Sequence, residues 1–238
     1  MADTRIAVRG DPVRARVELS CGAGPVLVPR LISRTRDRAQ VALVAGGALL
    51  LGGDHLVLEV DVGDGCLLEL TEVAGTVAYG ADGAASSVTV HIRLGRGAVV
   101  LWLGLELVVA DGADTRRELT VELADRAIAL IRETTVLGRT GEAGGRVVTA
   151  SSYRTESAPV LVESLELCGD RPVPGIAGGH RVIDTMVLAG LRPSAGDGAF
   201  ALEQPGALAR HLGGQTHQSP IPELFGAWRA EVLKESDR

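Results

Sequence analysis

The sequence predicts a mainly β, β-helix-like chain: a solenoid-like stack of hairpins with a few helices, including a C-terminal amphipathic helix. Three observations carry that prediction. Hydrophobic residues make 46% of the chain while aromatics make only 3%, so Val, Leu and Ala must fill the core. Glycine reaches 31 residues, mostly in pairs or as G-x-G, which is more punctuation than a helical bundle tolerates. The third is a recurring unit, an alternating run, a tight turn and an apolar run, seen in LEVDVGDGCLLEL, VHIRLGRGAVVLWL and VELADRAIALIRE, and more loosely in YRTESAPVLVESLEL. Its turns centre near Gly63, Gly95, Ala124 and Ser157, spaced 32, 29 and 33 residues apart. A steady spacing without repeated residue identities describes one supersecondary unit stacking on the next. A β-sandwich of similar hairpins is the alternative.

The elements follow in order. The 238 residues are read as a single domain, residues 1–238. The N-terminal stretch MADTRIAVRGDPVRARVEL has no apolar signal core, so a cytoplasmic protein is expected. The apolar runs 41–51 and 98–110 fall short of the roughly 20 residues of a membrane-spanning helix, and the second contains Glu106. In that second run, Val99, Leu101, Leu103, Leu105, Leu107 and Val109 form one apolar strand face, expected to be core. The other face carries Val100, Trp102, Gly104, Glu106 and Val108. Residues 138–146, GRTGEAGGR, read as a polar loop, mobile by composition. The register changes in residues 192–238, a C-terminal helical segment. There Ser219 is expected to cap a helix with Pro220 in its first turn, and Ile221, Phe225, Trp228 and Val232 make one apolar stripe. That stripe is expected to pack on the protein's own β stack, with a partner as the alternative.

Several functions are excluded or disfavoured by composition. A net charge of −6 lacks the basic face that nucleic acid or an anionic membrane needs. Cys21, Cys66 and Cys168 are odd in number and far apart, which fits neither a disulfide framework nor a structural zinc site. Each is expected in the core as a small hydrophobe. The sequence lacks G-x-S-x-G, a Walker A loop and H-E-x-x-H, and its five histidines form no H-x-H or H-x-x-x-H pair. The G-x-G at Gly63 and Gly95 sit inside hairpin turns and cradle no phosphate. No enzyme activity is expected from these motifs. Two carboxylates stand out. Asp54 follows LLLGG beside His55, where it can equally close a turn through local amides. Glu106 is a lone carboxylate on an apolar strand face and needs a partner, water or a metal ion, unless that face is solvated.

Residues 46–79, GGALLLGGDHLVLEVDVGDGCLLELTEVAGTVAY, resemble the urease accessory protein UreD family, called UreH in some organisms. The series continues with LGRGAVVLWLGLELVVADGADTRRELTVEL, then the V-L-G-R loop of RETTVLGRTGEAGGR, then GHRVIDTMVLAG, so that the likeness is strongest over residues 46–190. Thr71, Ala74, Thr76 and Tyr79 match the family's leucine–threonine segment, whereas Gly104 stands where proline is usual and Ala110 where an aromatic is common. With 23 of its 24 basic residues arginine, the chain has the makeup of a divergent member from a GC-rich genome. The resemblance implies a non-catalytic subunit that binds UreF, and through it the GTPase UreG. The assembly would dock on urease apoprotein and assist nickel insertion; whether it is dimeric stays open. It also implies no tightly bound cofactor, and a transient Ni²⁺ path near Glu106 and Asp54, since nickel accepts imidazole, carboxylate and water. The competing readings are a β-helix enzyme acting on an acidic polysaccharide, with Asp54, Glu106 or Glu72 as acid and base, and a generic β-stack binding module.

Overall fold

The computed structural model describes residues 4–23, 27–80, 83–173, 175–194 and 198–237. Residues 1–3 of the N-terminal stretch, and residues 195–197 and 238 of the C-terminal segment, lie outside them. The chain is mainly β, a solenoid-like stack of about 4 turns with one C-terminal helix. Two sheets face each other. Sheet A holds β1 (Thr4–Arg9), β2 (Arg16–Cys21), β5 (His55–Val62), β8 (Ser86–Leu94), β10 (Asp114–Leu123), β12 (Arg146–Thr155) and β13 (Pro159–Cys168), in the order β13-β12-β10-β8-β5-β1-β2. Sheet B holds β3 (Leu27–Arg34), β4 (Arg38–Ala45), β6 (Leu67–Glu72), β9 (Val99–Val109), β11 (Ile128–Leu137), β14 (Val182–Ala189), β15 (Ala199–Ala201) and β16 (Gly206–Gly213). Its order is β15-β16-β14-β11-β9-β6-β4-β3, with the short β7 (Thr76–Ala78) also on β9.

The chain alternates between the sheets: β4, β5, β6, β8, β9, β10, β11 and β12 run B, A, B, A, B, A, B, A. Neighbouring coils pair in parallel, as β1–β5–β8–β10–β12 in one sheet and β4–β6–β9–β11 in the other. Antiparallel pairs close both ends, β1–β2 and β3–β4 at one, β12–β13 and β11–β14–β16 at the other. The turns at Gly63, Gly95 and Ala124 are therefore corners between sheets rather than the hairpins the sequence suggested; only Ser157 turns a hairpin, between β12 and β13. Local chemistry cannot tell a corner from a hairpin. Both use a tight turn, and only the partner strand differs.

The corners stack on one another. Gly65 N–H donates to Arg96 O at 2.8 Å, and Gly97 N–H to Asp125 O at 2.8 Å. The equivalent residue in each corner is left-handed: Gly65 at φ 64°, Gly97 at φ 62° and Arg126 at φ 56°. Glycine suits that region and arginine does not.

The inter-sheet core is aliphatic, as the composition required. Ile6, Val60, Leu68, Val90, Val100, Val121 and Ile131 are among its buried members. Helix α1 (Ile221–Ser236) covers part of the outer face of sheet B, burying Ile221, Phe225, Trp228 and Val232 against Leu101, Leu130, Met186 and Leu188. The expected stripe thus packs on the protein's own sheet. Pro220, not Ser219, takes the cap position, and Ser219 Oγ instead accepts from Ile221 N–H at 3.2 Å. Among the cysteines only Cys66 is buried; Cys21 is exposed and Cys168 is half-buried beside Asp170, so a core role holds for one of three. Cys21 ends the edge strand β2, where one face meets water.

Candidate functional site

Strand β9 does not alternate cleanly. Its pairing with β11 slips between Leu103↔Arg132 and Glu106↔Thr134, so β9 carries an extra residue there. Before this bulge Val99 and Leu101 face α1 while Val100 and Trp102 face the inter-sheet core; after it Leu107 and Val109 are the core residues. The single apolar face expected from Val99 to Val109 is therefore split between two cores. Glu106 leaves the face of Trp102 and Gly104 and emerges beside Thr134. Gly104 is required at the bulge because a Cβ there would collide with the carbonyl of Arg132. The ladder of sheet B is also interrupted here, although Gly75 still packs on the Glu106 backbone, where a Cβ would lie 2.8 Å from its carbonyl oxygen. β6 stops at Glu72, β7 resumes at Thr76, and the sheet has no ladder strand beside the bulge over residues 73–75.

A cavity with about 70 Å³ of water-accessible room lies between the sheets at this level. Its lining includes Glu72, Trp102, Glu106, Arg117, Glu133 and Ser151, and it holds space for a few waters. The registers explain why polar groups collect here. One row across the inner face of sheet B runs Glu133, Thr185, Arg210, with Gly104 and Glu72 at its other end beyond the bulge. Arg117, Thr149, Ser151 and Glu163 face it from sheet A.

Arg117 reaches across the core from β10. Its Nε donates to Glu133 Oε1 at 2.6 Å, with side-chain exposures of 16% and 20%, and its guanidinium lies 5.7 Å from the Trp102 ring centroid. Burial pulls the Arg117 pKa down, but the charge and hydrogen bond of Glu133 and the charge of Glu72 outweigh it and leave it raised. Glu133 Oε2 also accepts from Ser151 Oγ at 3.1 Å. Glu72 accepts from Trp102 Nε1 at 3.0 Å and from Leu105 N–H at 3.0 Å. Burial nevertheless pushes its carboxyl above the usual range, against the pull of Arg117. Toward the C-terminal edge Arg210 bridges Glu163, with Nη1–Oε1 at 2.9 Å, and donates to Thr185 Oγ1 at 3.0 Å.

The two carboxylates singled out from the sequence part company. Glu106 is half-buried and lines the cavity where the sheet B ladder is interrupted. Asp54 does not line it; its Oδ2 accepts from Leu51 N–H at 2.9 Å, the turn role weighed as its alternative, while His55 Nδ1 meets Ser87 Oγ at 2.9 Å. Among the described residues no group of three or more His, Cys, Asp or Glu could hold a metal ion. Glu72 was singled out only for the polysaccharide reading; Arg117, Glu133, Arg132 and Asp184 were missed. Their signal is a charge within an apolar alternation, as Arg117 two residues before Leu119 and four before Val121, and Arg132 two residues after Leu130.

The loop at residues 138–146 is laced rather than free. Glu142 accepts from Arg139 N–H at 2.9 Å, Arg139 Nε at 2.8 Å and Asp111 N–H at 3.3 Å, and these bonds, that of the Arg139 side chain foremost, lower its pKa to about 2. Among the described residues no helix is long and apolar enough to cross a membrane.

Comparison with known proteins accounts for almost the whole chain. The family model described as UreD urease accessory protein matches residues 1–229. Urease accessory protein UreD 1 of Streptomyces griseus is 36% identical over 234 residues, covering 96% of this chain and 92% of its own. Urease accessory protein UreD 1 of Saccharopolyspora erythraea is 34% identical, covering 84% of this chain and 86% of its own. The corresponding figures for UreD of Streptomyces coelicolor are 33%, 87% and 80%. The resemblance first seen over residues 46–190 thus extends to nearly the full length, and the chain belongs to the UreD family of urease accessory proteins.

Proposed function

We propose that this chain is a non-catalytic subunit of the urease maturation machinery that binds UreF, and UreG through it, docks on urease apoprotein and gives Ni²⁺ a guarded route toward the active site. The observation that carries the reading is the water-sized cavity between two otherwise aliphatic sheets, lined by Glu72, Glu106, Glu133 and Glu163 together with Arg117 and Arg132. A carboxylate row stabilises a passing cation in a low-dielectric interior. An all-oxygen set without imidazole or thiolate binds nickel weakly, which suits transfer better than storage.

The test is Glu72→Gln in cells that express the chain with urease and its other accessory proteins. Glutamine keeps an acceptor for Trp102 Nε1, gives up the one for Leu105 N–H and removes the charge. Nickel-dependent urease activation is expected to fall at least about tenfold, the change that roughly 1.4 kcal/mol of lost transfer-state stabilisation produces. Partner capture stays intact. Full activation would remove the cavity from the mechanism, and loss of capture would make Glu72 structural.

A further inference from the structure

The cavity holds its own cation. Arg117 is the basic side chain that reaches Glu133 from the opposite sheet, and its charge also acts on Glu72, while Glu72 and Glu133 repel each other. These three sum to two carboxylates and one guanidinium; of the other charged lining residues, Arg132 is paired with Asp184 and Glu163 with Arg210, and Glu106 adds a further carboxylate. Arginine is charged at any physiological pH, so this cation is permanent. A second observation marks the place as unfinished. Tyr153, fully buried two residues along β12 from Ser151, has a hydroxyl without a hydrogen-bond partner, and the charges of Glu133 and Arg117 act on it. Buried hydroxyls are normally satisfied. That neutral oxygen, on the strand face that also carries the Ser151 hydroxyl, feels the charge of Glu133 and adds to the oxygen atoms around the guanidinium.

We propose that Arg117 is a built-in competitor: its guanidinium holds Glu133 in the cavity that Glu72 also lines, where a divalent cation would otherwise bind, and so keeps the cavity from retaining one. The inference rests on the transit reading above and deepens it. An entering ion must displace the Arg117–Glu133 contact, and that contact re-forms as the ion leaves. Without the guanidinium, two carboxylates lining one small enclosed volume would bind a divalent cation to relieve their repulsion.

The experiment is calorimetric titration of nickel chloride into the full chain at neutral pH, for the natural protein, Arg117→Met, Arg117→Gln and the double variant Arg117→Met/Glu133→Gln. The glutamine variant guards against misfolding because its amide still donates to Glu133, and a cooperative melt checks each protein. Either folded single variant is expected to gain one nickel site at least about tenfold tighter than the natural chain, a difference of about 1.4 kcal/mol. The double variant is expected to lose it. Unchanged nickel affinity in a folded single variant overturns the inference, as does a gain that survives Glu133→Gln. The two readings fail separately. No gain in binding, with urease activation still impaired in Glu72→Gln, leaves the passage and removes the competitor. A gain in binding with normal activation in Glu72→Gln leaves the competitor and removes the passage.

Discussion

Two adjacent residues of β11 face opposite ways into opposite chemistries. Arg132 points to the outer face of sheet B, where Nε and Nη2 each donate to Asp184 at 2.8 Å, Thr134 Oγ1 adds a third bond at 3.0 Å, and the side chains are 5% and 0% exposed. Glu133 points inward to Arg117, with Glu72 close enough to feel its charge and water-sized room around all three. The outer cluster balances one positive against one negative charge and both acceptor oxygens are used. The inner cluster carries a surplus carboxylate and an orphaned hydroxyl. Burial alone does not separate a structural ion pair from a functional one; charge balance and hydrogen-bond completeness do.

The largest effect should come from the balanced pair. Asp184→Ala strands a buried guanidinium, and a loss of about 3–5 kcal/mol is expected in chemical denaturation. A loss under about 1 kcal/mol would show that the pair is hydrated and erase the contrast with Glu133. Gly104 sits between the clusters, its carbonyl 3.4 Å from Arg132 Nη1 and the place of its missing Cβ 3.8 Å from Glu72 Oε1. Gly104→Ala drives a methyl into the Arg132 carbonyl and should cost about 1–3 kcal/mol, with urease activation falling further than stability if the bulge also shapes the passage. Equal losses at both readouts would make the bulge only a packing device.

The corners calibrate these numbers away from either cluster. Arg126 holds the left-handed position that glycine holds in the two preceding corners, at φ 56°. Arg126→Gly should therefore stabilise by up to about 1 kcal/mol, read as a higher melting temperature. The smallest expected effect is at Glu142, an exposed version of the balanced pair. Its carboxyl titrates at about 2 when folded against 4.5 as a free side chain. A lowered pKa contributes stability that is present above about 4.5 and lost as pH falls toward and through about 2. Protection of the amides of residues 138–146, taken relative to their intrinsic exchange rate, should fall as pH drops through that window in the natural chain and not in Glu142→Gln.

The stack was legible because period, glycine spacing and aliphatic makeup are local quantities: Gly65 and Gly97 mark successive coils whatever lies beside them. The helix was legible for the same reason, since Ile221, Phe225, Trp228 and Val232 share one face by helical geometry alone. The site was only half legible. Glu106 was marked by being a lone charge in an apolar run, but the face it takes depends on a bulge that appears only when β9 is paired with β11. Arg117 and Glu133 stand 16 residues apart on different sheets, and Arg132 and Asp184 are 52 apart.

By itself, then, the sequence determined the repeating stack, the places of its turns, the aliphatic core, the C-terminal stripe and the family. The tertiary structure alone decided which strands pair in parallel, that the corners change sheets, and which charges meet. The physical reason is range. Backbone preference and hydrophobic period act within a turn or a strand, whereas a buried charge is defined by the partner that compensates it, and stacking decides who that partner is.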